Sequence, residues 1–546
     1  MLHQPRLITY RLWLFIGLLA IVLFAESAIP YLYAARNAGP GHVFLGQVAY
    51  TPDQNMYFSF ISQAREGQFV FSNKLTAIPH TAVFVNLEWW LIGAIQHITG
   101  ISENAVYQVW RLLGILLLAT GIVMLARIVL PPGRRVLLTT ATLLFTGGFG
   151  FVFALLSGLH LLGQSVLQPG IIDMRYGLLP FQQIVTNPHF SFPHGLILIA
   201  YAFFLLGEQR ERTKYYLLSG LMFTIIGLVR PYDIIPPFVI FPLYTLFVHR
   251  CSTLRQLVTR SLPLLITIPV LLYNVWLFKV NDVFKYWSQQ GLNAGVMPSP
   301  LWHYMAYGII GVLAIARMAQ LRKNPLNVNE RFLVLWFAVT FLFIQLGRYF
   351  PILGWSPQIG VYLAVPLALL GFGIDTRAWL KRGTARYGVI TAAVAVIAIS
   401  NISIVLYFAK NFNDPSKRDI YYARNEEMDA WQWMRLHIPA GKVVLALPAT
   451  SQRIAKHTNA RVIAAHYSVT PKYAENAVLA YTLFSGGVID EQRFNTGSDI
   501  SADYLYIGPE EHAASKATIS MSPHGFVPLY SNSAVTIYKV LPGVRY

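Results

Sequence analysis

A succession of long apolar runs leaves this 546-residue chain one place to hide its surface, the interior of a bilayer. A helix that crosses the hydrocarbon layer needs ~20 mostly apolar residues. Runs approaching or exceeding that length occur near residues 12–33, 106–130, 136–159, 193–206, 215–229, 234–248, 262–278, 301–316, 332–346, 360–374 and 389–408. With 55% hydrophobic and 12% charged residues, a single soluble core with a wetted surface is excluded. The expected architecture is therefore a polytopic α-helical membrane protein with about 11 transmembrane helices.

The charge pattern gives the runs a direction. A formal net charge of +18 in a soluble protein suggests a nucleic-acid partner, but here the bases fall in short clusters between apolar runs. With the amino end inside, Arg6 and Arg11, Arg134 and Arg135, Arg210, Arg212 and Lys214, Arg250 and Arg255, Arg322 and Lys323, and Arg377, Lys381 and Arg382 all fall on the cytoplasmic face. Nucleic acid is not an expected partner; membrane lipids are. Counting 83–98 as a further span breaks the alternation, so that stretch reads as a helix at the outer interface, with Trp89 and Trp90 as interfacial anchors. The first apolar run continues past Ala25-Glu26-Ser27-Ala28 to Tyr33, which favours an anchor over a cleaved leader. The single cysteine, Cys251, excludes an internal disulfide and a cysteine-based metal site.

Beyond residue 410 the composition becomes that of a soluble domain, giving a division into a membrane domain 1–410, with its first outer loop at 40–105, and a small C-terminal α/β domain 411–546 outside the membrane. The pattern predicts helices at 426–436, near 451–457 and at 471–484, strands at 442–447, 461–465 and 504–507, and a closing hairpin over 526–540. A multi-pass protein of the plasma membrane with an extracytoplasmic carboxy-terminal domain is the expected arrangement.

That topology collects polar residues from distant parts of the chain at the outer face. Asp53 and Tyr57 open the first outer loop. His189 and His194 end the loop before the fourth span; Arg230, Tyr232 and Asp233 turn between the fifth and sixth spans; Gln345 and Arg348 turn between the ninth and tenth. Ionisable groups at membrane depth are costly, so those present tend to be functional or paired. A lipid-phosphate-linked sugar is a substrate that uses such a set. Its phosphate is matched by an arginine fork, its acceptor hydroxyl needs a base, and its departing phosphate gathers charge that fixed cations stabilise. One carboxylate suffices, because a phosphate leaving group needs no general acid.

The stretch Thr51-Pro52-Asp53-Gln54-Asn55-Met56-Tyr57, followed by Gln63-Ala64-Arg65-Glu66-Gly67, resembles the first-loop motif of the GT-C membrane glycosyltransferases. The layout is similar to the branch that includes protein O-mannosyltransferases and lipid A aminoarabinose transferases. The resemblance implies an inverting glycosyltransferase that moves a hexosyl or pentosyl unit from a polyprenyl-phosphate donor to a lipid, glycan or protein acceptor. It implies Asp53 as base and Arg230 and Arg348 at the donor phosphate; His189, His194, Tyr57, Tyr232, Asp233 and Gln345, placed at the same face by the topology, are further candidate substrate contacts. The second acidic position of that motif is Gln54 here, so no metal or other cofactor is expected.

Each of these residues also has a purely structural reading. Asp53 suits the N-cap of a helix over 54–66. Arg230 and Asp233, three apart, suit an ion pair; Arg348 suits a snorkel to head groups; Tyr57 suits packing. His189 and His194, at i,i+5 about a proline, are poorly spaced for a metal. Glu26 and Glu88 suit the lining of a polar cavity. Two other functional classes compete: a lipid or solute transporter, which gathers charge near the midplane of paired halves, and a membrane scaffold. The one-faced clusters and the absence of a repeat favour the enzyme.

Overall fold

The computed structural model of the chain describes residues 8–150, 152, 156, 159, 179–249, 253–291, 300–347, 349, 362–374, 399–490, 494, 502–515, 518–522 and 525–541. Contacts divide the chain into two compact units, one made of Met1–Leu32, Tyr107–Asn274 and Leu292–Asn411, the other of Tyr33–Val106, Val275–Gly291 and Phe412–Tyr546.

Among the described residues, six helical segments are long and apolar enough to cross a membrane: Tyr10–Arg36, Glu103–Val129, Pro188–Arg210, Pro231–Val248, Leu254–Lys279 and Val328–Leu346. Each overlaps an expected run. The run at 215–229 forms the shorter helix Thr213–Gly227. That at 301–316 is broken into Pro300–Met305 and Gly308–Ala319. The break falls at Ala306 and Tyr307, and Gly308, which opens the second helix, adopts a left-handed φ of +57° with a tight approach to the Gly148 backbone, where a Cβ would come to 3.1 Å. The run at 136–159 is helical over Arg134–Phe145 and turns extended at Thr146, and part of its remainder lies outside the described residues. The last two runs are described only in part, as Ala364–Phe372 and as helix over 399–412.

Pro188–Arg210 is the almost wholly buried centre of the first unit. Aromatic rings pack around it, with Phe204 stacked on Phe241 at 3.9 Å and Tyr201 against Trp336 at 4.4 Å. Two of the arginines that enter this interior are paired with glutamates. Arg317 forks onto both carboxylate oxygens of Glu330, at 2.9 and 3.0 Å, and Arg260 meets Glu208 at 2.7 Å.

In the second unit a five-stranded sheet runs in the order Arg461–Val462, Val443–Leu445, Tyr504–Ile507, Thr536–Val540, Phe526–Ser531. The first three strands are parallel and the hairpin adds two antiparallel ones. Helices Asn425–His437, Pro448–His457 and Tyr473–Ser485 accompany it, close to the expected bounds. The strand expected over 461–465 pairs for only two residues, because the chain leaves the sheet there for a turn at 466–470.

Residues from the 40–105 loop are built into this α/β layer. Ala77 belongs to the core formed by Leu445, Leu447, Phe484, Leu505 and Ile507, and the Val462 N–H donates to the Lys74 carbonyl at 3.0 Å. His42–Phe44 pairs antiparallel with Tyr422–Arg424.

Two short helices of that loop, Thr51–Arg65 and Leu87–Thr99, cross at close range. A Cβ on Gly93 would meet the Ala64 Cβ at 2.4 Å and the Ile61 carbonyl at 2.6 Å, so glycine is what lets them touch. At 13 residues, Leu87–Thr99 is too short to span a bilayer. Trp89 is not an interfacial anchor: it is 2% exposed, stacked on Tyr57 at 4.8 Å and on Phe60 at 5.2 Å. Packing between the two helices has claimed the ring that composition assigned to the lipid surface.

Candidate active site

Asp53 stands third in Thr51–Arg65, not at its N-cap. Pro52 fits the first turn, where its missing N–H is not needed, and the helix starts at Thr51 behind Tyr50, which adopts φ +49°. A non-glycine residue in the left-handed region carries strain, and here it sharpens the entry to the turn that presents the carboxylate. A carboxylate in the first helical turn is also stabilised by the helix dipole.

The Asp53 side chain meets the second half of the chain. Its Oδ1 lies 3.0 Å from Nε2 of His466; the histidine side chain is fully buried, while that of the aspartate is 36% exposed. The backbone N–H of Ser468 donates to Nδ1 of the same ring at 3.2 Å, and the Ser468 Oγ lies 2.9 Å from it. A backbone N–H can only donate, so Nδ1 carries a lone pair and Nε2 carries the proton that is given to Asp53. Beside them the Tyr467 ring stacks on His466 at 4.8 Å and stays 53% exposed. Burial and then the Asp53 charge push its hydroxyl pKa up.

The turn that carries these residues is pinned from several sides. Thr470 Oγ1 accepts from the His466 N–H at 3.1 Å and donates to the Leu75 carbonyl; Asn73 Nδ2 donates to the Val469 carbonyl at 2.9 Å. From the Asp53 helix, Asn55 is bound to Gln47 at 2.8 Å and reaches Gln452, which donates to the Ala465 carbonyl at 2.6 Å. The acid and its histidine therefore sit on mutually braced segments. Tyr57, one turn along from Asp53, is 8% exposed within the Trp89 stack.

A second polar feature of this unit is a cavity of about 310 Å³ lined by Glu66, Lys74, His80, Asn459 and Arg461, among others. The Lys74 ammonium donates to Ser62 Oγ at 2.8 Å and to the Thr458 carbonyl at 2.7 Å, and burial lowers its pKa to about 7.

In the first unit, several expected residues come together. Arg230 and Asp233 form an ion pair at 3.2 Å with both side chains fully buried. The Arg230 Nε also donates to the Tyr232 hydroxyl at 2.9 Å, and the guanidinium lies over the Tyr232 and Phe190 rings at 4.8 and 5.2 Å. The Asn187–His194 stretch is not a loop but the start of Pro188–Arg210, capped by Asn187, whose side chain accepts from the His189 N–H. His194 is fully buried, hydrogen-bonded through Nδ1 to Gln183 at 2.8 Å and within electrostatic reach of Arg230. His189 is 7% exposed on the same helix. Gln345 lies apart from the pair's own contacts, 3.1 Å from Nδ1 of His303. Arg348 lies outside the described residues. No cluster of three or more metal-ligating side chains occurs among the described residues.

No protein-family model and no curated protein matches the chain in sequence. Solved structures do match its fold. The archaeal oligosaccharyltransferase AglB from Archaeoglobus fulgidus, solved with an inhibitory peptide and a dolichol-phosphate, superposes with a TM-score of 0.50 at 12% identity over 89% of this chain and 69% of AglB. The arabinofuranosyltransferase AftD from Mycobacteria superposes with a TM-score of 0.55 at 13% identity over 99% of this chain and 42% of AftD. ArnT from Cupriavidus metallidurans, bound to undecaprenyl phosphate, aligns with a TM-score of 0.49 at 11% identity over 96% and 99% of the two chains. This chain therefore shares its fold with AglB and AftD. At these identities the likeness is one of fold, and the chain spans less than half of AftD.

Proposed function

We propose that the protein is an inverting glycosyltransferase that takes a sugar from a polyprenyl-phosphate donor at the outer face of the membrane, with Asp53 as its base. The observation that carries this reading is the state of Asp53: a partly exposed carboxylate in the first turn of a braced helix, in a chain with the GT-C fold. The acceptor hydroxyl attacks the anomeric carbon as its proton passes to Asp53. The new C–O bond forms as the bond to the donor phosphate breaks, and the lipid phosphate leaves with that electron pair. Attack opposite the leaving group inverts the anomeric centre, and no second carboxylate is required.

The eleven-span topology, with 411–546 outside the membrane, accompanies this reading. Arg230 and Arg348 are the proposed cations for the donor phosphate, with His189, His194, Tyr57, Tyr232, Asp233 and Gln345 as proposed substrate contacts. For Arg230 the role requires that a phosphate compete with the buried Asp233 carboxylate. The exposed Tyr467 ring beside Asp53 gives an acceptor sugar or peptide a flat surface on which to rest.

The test is transfer from a panel of radiolabelled polyprenyl-phosphate sugars by the purified protein in lipid, wild type beside Asp53→Asn. Label incorporation or donor hydrolysis that depends on Asp53 supports the reading and names the donor. Silence across the panel, with no donor bound, transfers the weight to transport or scaffolding.

A further inference from the structure

The Asp53–His466 contact joins the carboxylate of the proposed base to a segment 413 positions away, and its geometry is asymmetric in a way that assigns the two roles. A histidine that exchanges protons with substrate has to reach it, but the His466 side chain has no exposed surface, whereas Asp53 keeps 36% of its own. The ring nitrogen that faces away from Asp53 is already engaged by the Ser468 N–H and hydroxyl. The imidazole is thus sealed, tautomerically fixed and aimed with its one N–H at one carboxylate oxygen.

We infer that His466 is the positioning residue of the site: its Nε2–H holds Oδ1 of Asp53 so that Oδ2 is left as the oxygen that receives the acceptor proton. This deepens the glycosyltransferase reading and rests on it. The physical reason is orientational. A carboxylate in an exposed first turn has several rotamers, and its basic lone pair points at the acceptor in only some of them. One fixed donor on one oxygen selects among those rotamers. The arrangement also makes the C-terminal segment a part of the site itself: the 466–470 turn supplies the donor, and Asn73, Leu75 and Gln452 keep that turn in place.

The experiment uses the full chain in lipid nanodiscs with the donor identified by the panel. His466→Phe keeps a flat ring and removes the donor; His466→Gln keeps an N–H at a similar reach. The expected result is a fall in kcat of at least tenfold for His466→Phe with the donor KM unchanged, and recovery of most of that loss in His466→Gln. A His466→Phe enzyme within twofold of the wild-type kcat overturns the inference, as does a loss confined to KM. A ¹⁵N spectrum of histidine-labelled wild-type protein, with the His466 signals assigned by their absence in His466→Gln, provides a readout that does not depend on the Phe variant folding or on a donor being found. Nδ1 should be unprotonated and Nε2 protonated, and the opposite tautomer overturns the inference. Asp53→Asn separates the two levels: full activity in that variant brings down the base assignment itself, while an inactive Asp53→Asn beside a fully active His466→Phe brings down only the positioning role.

Discussion

Oδ1 of Asp53 lies 3.0 Å from Nε2 of His466, and of the two side chains only the aspartate reaches solvent. In the proposed reaction the aspartate is the reacting group and the histidine its support. Residues 40–105 and the C-terminal residues of this chain belong to one structural unit: Ala77 lies in the core of the α/β layer, and the Lys74 carbonyl accepts from its edge strand.

The helix that presents Asp53 owes its position to Gly93. Adding a methyl group there drives a Cβ to 2.4 Å from the Ala64 Cβ and forces Thr51–Arg65 away from Leu87–Thr99. Gly93→Ala should destabilise the protein by about 1–3 kcal/mol, the usual range for overpacking. Thermal unfolding in detergent checks this, and an unchanged melting temperature contradicts the close crossing.

Lys74 should give stability a pH dependence. Its amine titrates near 10.5 in the unfolded chain and at about 7 when folded, so between those values only the unfolded chain holds the proton. Stability from this site is therefore lowest at and below pH 7 and rises as the pH climbs toward 10.5, by no more than ~4 kcal/mol. Melting temperatures of wild type and Lys74→Met between pH 7 and 10 test it: the rise attributable to Lys74 should be missing from the variant, and parallel curves contradict the assignment.

Arg230 and Asp233 separate structure from binding. Arg230→Ala leaves a buried carboxylate unpaired and should cost about 3–5 kcal/mol of stability. If the guanidinium also holds the donor phosphate, affinity should fall by the ~1.5–3 kcal/mol of a charge-assisted hydrogen bond. The double variant Arg230→Ala with Asp233→Asn should recover much of the stability and none of the affinity. Donor binding equal to wild type in that double variant returns Arg230 to a structural role.

How much of this was legible in the sequence follows from how local each signal is. The six long apolar helices could be read because lipid burial acts on every residue of a run, and the strand at 504–507 and the closing hairpin could be read because their alternation is local. The start of Pro188–Arg210 was missed although Asn187-Pro188 is a good cap and first position. Two histidines and a second proline resembled a loop, and only burial among the neighbouring helices makes that stretch helical. Trp89 was assigned to the lipid surface because composition cannot show that Tyr57 and Phe60 lie against it. His466 carried no signal at all. It follows a short apolar strand in an ordinary-looking turn, and nothing in its neighbourhood points to an aspartate 413 positions earlier.

The central claim is that Asp53 takes the proton of the acceptor hydroxyl, and the most direct measurement is the single-turnover rate of Asp53→Asn at saturating donor, beside its donor affinity. The variant keeps the shape of the side chain and loses the base. The account predicts a rate lower by about 10²–10⁴-fold with donor affinity near that of wild type. A rate within a few fold of wild type contradicts it.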